Sequence, residues 1–342
     1  MREMEEREAR YSGALKPIDT VVIGTSLAKE SDDLLKAGLD LAHTLGAKAY
    51  VAHAAPLEPL SPRFGAGWAE SDYFREFTRL RWDELRHQLE RVAPPAELKV
   101  EPLMRTDTPH LVVTSIAGEV GADLVIVGAS ETPHGLGRLL GSTSERVLRK
   151  APCPVLVLRK PSGFPWRRVL APVDLSVHSA DSLRCGVGFL SQLAVADAAV
   201  KGLLVLTDFQ RQALEDFTSP GRVEAFASHE LERFVDDNLL HGPGAVGTGL
   251  RTGDPRAEIL AEAEEWGADL IVIGTHGRGG LERALIGSVA SGVAAGATAA
   301  VLVIPPMTAL GASIGDAVLE QTGPHWPEQI QPGDTDREEG SP

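Results

Sequence analysis

"GADLVIVGASETPHGLGRLLGSTS", Gly121 to Ser144, and "GADLIVIGTHGRGGLERALIGSVA", Gly267 to Ala290, are one passage written twice. Gly121, Ala122, Asp123 and Leu124 return 146 residues later as Gly267, Ala268, Asp269 and Leu270. Gly128, Gly141 and Ser142 return at the same offset as Gly274, Gly287 and Ser288. Upstream, "RTDTP" (Arg105 to Pro109) answers "RTGDP" (Arg251 to Pro255); downstream, "PVLVL" from Pro154 answers "AVLVI" from Ala300. Agreement at one offset over several separate blocks, with no gap, marks an internal duplication. The 342 residues therefore divide into two copies of one domain, 16–160 and 165–306. A charged extension (1–15) precedes them, and a tail rich in Gly, Pro and acids (307–342) follows, which is expected to be disordered.

Within each copy, strand-like and helix-like stretches alternate. In the second, "RVLAPVD" reads as a buried strand, "SADSLRCGVGFLSQLA" as a helix, "KGLLVLTDF" as a strand and "EAFASHELERFVDDNLL" as a helix. "GTGLRTG", "PRAEILAEAEEW", "DLIVIG", "GSVASGVAAGA" and "AAVLVIP" then continue as strand, helix, strand, helix and closing strand. Apolar runs without polar alternation mean strands covered on both faces. The expectation is an α/β protein of two tandem Rossmann-like domains, each a five-stranded parallel sheet with helices on both faces, four helices to a copy. In the first copy, "SDYFREFTRLRWDELRHQLERV" has the spacing of a helix whose apolar stripe packs into a core or an interface.

Composition narrows the function. A net charge of −15 sets the chain against nonspecific association with nucleic acid or anionic lipid. No run is long and apolar enough to span a bilayer. "MREMEEREAR" is no secretory signal, so the expected address is the cytoplasm. Cys153 and Cys185 stand alone, in neither a disulfide framework nor a zinc spacing. There is no GxxxxGK(S/T), GxSxG or HExxH. "GPGAVG", Gly242 to Gly247, fits a dinucleotide fingerprint by letter, but it follows a helix and opens a strand, the reverse of the required context.

The sharper signal is the bend "GTHGRGGLERALIGS", Gly274 to Ser288, between a strand and a helix. In an open parallel sheet ligands bind beyond the carboxyl ends of the strands. Glycines there let a ligand approach the backbone, and the helix opening near Gly287 offers free N–H groups to an anion, with the Ser288 hydroxyl beside them. Phosphate is the guest this chemistry suits. At these residues the chain resembles the universal stress protein family, over about residues 16–306. Gly274, Gly277, Gly287 and Ser288 match the G-x2-G-x9-G-(S/T) pattern of its ATP-binding branch. The resemblance implies domains of the adenine-nucleotide-binding type. It also implies that Asp174, with Ser176 and Ser179 behind it, accepts hydrogen bonds from the nucleoside, and that the second strand lines the base near Leu206. His276 and Arg278 lie inside the bend, where phosphate contact and plain solvation are equally open readings.

The first copy departs from the pattern. Glu131 replaces the second glycine and Ser26 the acid after the first strand. A carboxylate within about 4 Å of a phosphate would cost on the order of 4 kcal/mol at an effective dielectric near 20, roughly a thousandfold in affinity. ATP, with or without Mg2+, is therefore expected in the second copy, and poorly or not at all in the first. The resemblance further implies that the apolar final strands, Pro154–Leu158 and Ala300–Ile304, pair the copies within one chain, a homodimer of whole chains being left open. The expected role is stress response or signalling, with ATP turnover slow if present. A nucleotide-independent scaffold of the same fold is the alternative, and an ATP-hydrolysing or adenylyl-transferring enzyme the remaining one.

Overall fold

The computed structural model describes residues 17–55, 72–129, 140–159, 165–192, 197–217, 221–239, 244–275 and 286–305. The charged extension, the tail, Glu131, Gly277, His276 and Arg278 lie outside them. The first copy runs β1 (Thr20–Thr25), α1 (Asp32–Thr44), β2 (Lys48–Ala54), α2 (Asp72–Val92), β3 (Val100–Arg105), α3 (Pro109–Val120), β4 (Leu124–Gly128), α4 (Ser142–Lys150) and β5 (Val155–Leu158). The second runs β6 (Arg168–Val173), α5 (Val177–Gln192), β7 (Ala199–Leu206), α6 (Asp208–Phe217), α7 (Val223–Asn238), β8 (Val246–Thr252), α8 (Pro255–Trp266), β9 (Leu270–Gly274), α9 (Ser288–Gly296) and β10 (Ala300–Ile304).

All ten strands form one sheet in the order β3-β2-β1-β4-β5-β10-β9-β6-β7-β8. Pairing is parallel within each copy. Between the copies β5 and β10 run antiparallel, with Leu302 opposite Leu156. The final strands therefore close on each other, and two five-stranded sheets become one. Alternate residues along a strand feed opposite faces. Leu124 and Ile126 join a core that includes Leu39 of α1, Leu85 of α2, Phe189 of α5 and Leu231 of α7. Val125 and Val127 join the other, with Ile116 of α3, Val147 of α4, Ile259 of α8 and Val293 of α9. Each core runs through both copies.

The repeated letters have repeated tasks. Gly121 and Gly267 end α3 and α8 in the left-handed conformation, at φ 63° and 68°, which costs a residue without Cβ least. Two residues on, the Asp123 carboxylate accepts the main-chain N–H groups of Asp19 and Thr20, each at 3.0 Å. Asp269 does the same for Arg167 and Arg168, at 2.9 and 3.0 Å. Each aspartate thus ties the start of its neighbouring first strand. Arg105 pairs with Glu119 and Arg251 with Glu265, again one offset apart. Pro109 and Pro255 open α3 and α8, where the missing N–H has no helical partner to lose.

One expectation fails. Four helices to a copy holds for the described part of the first, but the second has a fifth, α6, and β7 stops at Leu206 instead of continuing through Asp208 and Phe209. The cause is a reciprocal cap. Gln210 Oε1 accepts the Thr207 N–H at 2.9 Å while Thr207 Oγ1 accepts the Gln210 N–H at 3.2 Å, so the chain turns helical directly after the strand.

Candidate functional site

In the second copy the strand order reverses at β6, which has β7 on one side and β9 on the other. The crevice beyond the carboxyl ends of β6 and β9 is the place where a sheet of this kind can seat a ligand. Asp174 directly follows β6, Gly274 ends β9, and Leu206 ends β7, so three of the expected residues share one edge.

The turn after β6 holds Asp174 by an internal network. Its Oδ1 accepts the Ser176 N–H at 3.0 Å and the Ser176 hydroxyl at 2.5 Å. Ser176 Oγ in turn accepts the Ser179 N–H at 3.2 Å, capping α5. Between them Leu175 is buried with φ at 61°, a conformation a bulky side chain adopts only when its surroundings impose it. Asp174 remains half-buried, and one carboxylate can accept several hydrogen bonds.

Across the crevice, the Thr275 N–H donates to the Ile304 carbonyl at 2.9 Å and the Gly287 N–H to the Thr275 carbonyl at 2.7 Å. The two ends of the bend, Gly274–Thr275 and Gly287–Ser288, are thereby held together at the sheet edge. Gly287 sits so close that a Cβ there would lie 3.0 Å from the Thr275 carbonyl oxygen, so a side chain at this position would press on the main chain. Gly287 caps α9 without any side-chain hydrogen bond, and no acid stands in the first turn. The leading N–H groups and the positive end of the dipole are left for an anion, with Ser288 exposed at the first helical position. The residues present thus suit a phosphate. Leu206 is buried, and its carbonyl accepts the Gly253 N–H at 2.9 Å. Its side chain belongs to the core, and its oxygen already has one partner.

The polar geometry of the first copy differs. Ser26 is exposed. The side chains around β1 meet Gln88 of α2, fully buried. Gln88 accepts the Thr25 hydroxyl at 2.9 Å and donates to Ser31 Oγ at 3.0 Å and Asp32 Oδ1 at 2.8 Å. The Arg91 guanidinium holds the Asp32 carboxyl below the usual carboxylate range. Sequence reasoning missed this group because its members lie far apart in the chain.

Neither cysteine suits nucleophilic work. Burial pushes the Cys153 thiol up to about 12 and the Cys185 thiol to about 11. Among the described residues there is no cluster of three metal-ligating side chains and no helix long and apolar enough to cross a membrane.

Comparison with known proteins agrees with this architecture. A universal stress protein of Mycobacterium tuberculosis is 27% identical over 222 residues, 63% of this chain and 72% of the relative. Another, from Methanocaldococcus jannaschii, is 29% identical over 145 residues, 41% and 82% of the two chains. A universal stress protein structure from Archaeoglobus fulgidus superposes with a TM-score of 0.59 at 19% identity, covering 85% of this chain and 99% of that one. A protein of unknown function from Pseudomonas aeruginosa also gives 0.59, at 18% identity and 89% and 96% coverage. The model of the universal stress protein family matches residues 17–159 and again 165–305. The chain therefore belongs to the universal stress protein family, carrying its domain twice in tandem.

Proposed function

We propose that the second copy binds ATP and that occupancy of this site is what the protein contributes to a cytoplasmic stress response. Asp174 takes the nucleoside hydroxyls, Leu206 walls the base, and Gly274, Gly277, Gly287 and Ser288 receive the phosphates. Mg2+, where present, travels with the triphosphate. The observation that carries this reading is the N-terminus of α9, free of any side-chain cap, pinned through Gly287 to Thr275 at the switch-point edge opposite Asp174. An anion there meets aligned N–H groups that no described side chain caps. No described group is placed as a base for phosphoryl transfer, so binding and release, with turnover slow at most, are the events the site supports. Equilibrium binding of radiolabelled ATP to protein stripped of nucleotide tests it. The expected result is one ATP per chain, abolished by Gly277→Glu, which brings to the second copy the residue type found at Glu131. Two ATP per chain, or binding unchanged by the substitution, would refute it.

A further inference from the structure

The ten-stranded sheet ends in β3 at one edge and β8 at the other, and the two edges are not equivalent. In a parallel pair, alternate residues turn both main-chain groups toward the neighbour and the rest turn them away. The Val200 N–H donates to the Ala245 carbonyl and the Gly253 N–H to the Leu206 carbonyl, both at 2.9 Å. Ala245 and Gly253 therefore face β7, and by alternation Val246, Thr248, Leu250 and Thr252 turn their N–H and C=O groups outward. On the opposite edge, the Ala49 N–H donates to Lys99 and the Ala55 N–H to Arg105, so Val100, Pro102 and Met104 face outward. Proline has no N–H to offer an incoming strand. Pro102 thus blocks the first edge at its middle, and the residue 146 positions on, Thr248, leaves the second open.

We infer that β8 is an interaction edge and that its partner is the β8 of a second copy of this chain, paired antiparallel about Gly249. That register sets Thr248 opposite Leu250 and Val246 opposite Thr252, so every outward-facing main-chain group of the strand finds a partner. Arg251, the one charged residue of β8, falls opposite Gly247 and meets no like charge. Its guanidinium is already held by Glu258, Glu262 and Glu265. Val246, 42% exposed, is covered by the pairing. The chain already uses this device once, in the antiparallel β5–β10 seam. Because the pairing is isologous and Pro102 closes the other edge, association stops at two chains and does not run on into fibres.

Sedimentation velocity of the full chain over a wide concentration range, with and without ATP, tests this. The wild type and Thr248→Ser, which keeps the outward N–H, should give the mass of two chains. Thr248→Pro loses that N–H while leaving the ladder to β7 intact, and should sediment as one chain at concentrations where the wild type is dimeric. Should Thr248→Pro fail to fold, amide exchange of the wild type decides. The N–H groups of Val246, Thr248, Leu250 and Thr252 should gain protection as concentration rises. A wild type that stays single at every concentration, as it would if β8 served some other extended segment, overturns the inference. So does a folded Thr248→Pro that dimerises normally, or outward amides that exchange freely in the dimer. None of these results depends on whether ATP binds.

Discussion

The turn after β1 and the turn after β6 follow the same path, down to a leucine held at positive φ in each, Leu27 at 64° and Leu175 at 61°. The chemistry hung on that path differs. After β6, Asp174 is fixed by serines of its own turn and stays half-buried at the crevice. After β1, Thr25, Ser31 and Asp32 all bond to Gln88, which comes from α2. Leu85 and Leu231, one repeat offset apart, are both fully buried, and on that register Phe234 of α7 stands where Gln88 does. A phenyl ring cannot bond to Ser179. Duplication has therefore preserved a backbone while one copy turned its polar groups inward and the other left them at the edge.

The largest expected difference between the copies lies under α8. Glu262 is buried against Lys201 and Arg251, each contact at 2.5 Å. Burial alone would raise its pKa, but the hydrogen bonds from the two cations outweigh it and hold the carboxyl below the usual range. Glu262→Ala strands the partly buried Lys201 and takes from Arg251 one of its three carboxylates, and should cost about 3 kcal/mol in urea unfolding. The first copy meets its repeated arginine, Arg105, with the exposed Glu119. Glu119→Ala should cost less than about 1 kcal/mol. Equal losses would mean that exposure does not separate the two arginines.

Next in size is Gln88 itself. Gln88→Ala takes the shared partner from the half-buried Thr25, Ser31 and Asp32 and opens a small void, at a cost of about 2 kcal/mol. Ser176→Ala in the second copy removes a helix cap near solvent and should cost about 1 kcal/mol. Thermal unfolding monitored by circular dichroism reads both. If Gln88→Ala were neutral, the hydrogen bonds gathered on Gln88 would not hold the turn after β1.

What could be read in the sequence depended on whether a residue returns in the second copy or acts within its own turn. The glycine, aspartate, arginine and proline of the repeat act within their own element or on one packed beside it, so a repeated letter became a repeated contact. Asp174 with Ser176 and Ser179 is equally local. The pairing of β5 with β10 was legible through the family resemblance, in keeping with their unbroken apolar character. Helix α6 was overlooked although its signal, threonine followed three residues later by glutamine, is in the chain at Thr207 and Gln210; the apolar run of β7 overshadowed it. Gln88 was beyond reach, because nothing local says that a polar residue on an amphipathic helix turns toward the sheet and meets partners some sixty positions earlier. The outward parity of Pro102 and Thr248 also required the register, which a strand's own letters do not fix.

The smallest expected difference concerns acid. His53 of β2 pairs with Thr25 in the sheet register, where the second copy sets Leu204 against Val173. Its Nδ1–H donates to the Thr25 carbonyl at 3.0 Å, and Nε2 is buried without a hydrogen-bond partner. Burial holds its pKa below the ordinary 6.5, and the neighbouring Arg81 adds to the effect. Burial also lowers His110 of α3, with Lys150 and Arg146 nearby. The folded first copy thus refuses protons that the unfolded chain accepts, and the sign follows: stability present above pH 6.5 is lost as the pH falls below it. The second copy has leucine and arginine at the corresponding places, Leu204 and Arg256, so the response of these two imidazoles belongs to the first copy. Urea midpoints measured between neutral pH and about pH 5 should fall for the wild type and fall less for His53→Leu, with the lost protection in hydrogen exchange confined to the first copy. Loss spread evenly over both copies would show that the shared sheet, and not the buried imidazoles, sets the acid response.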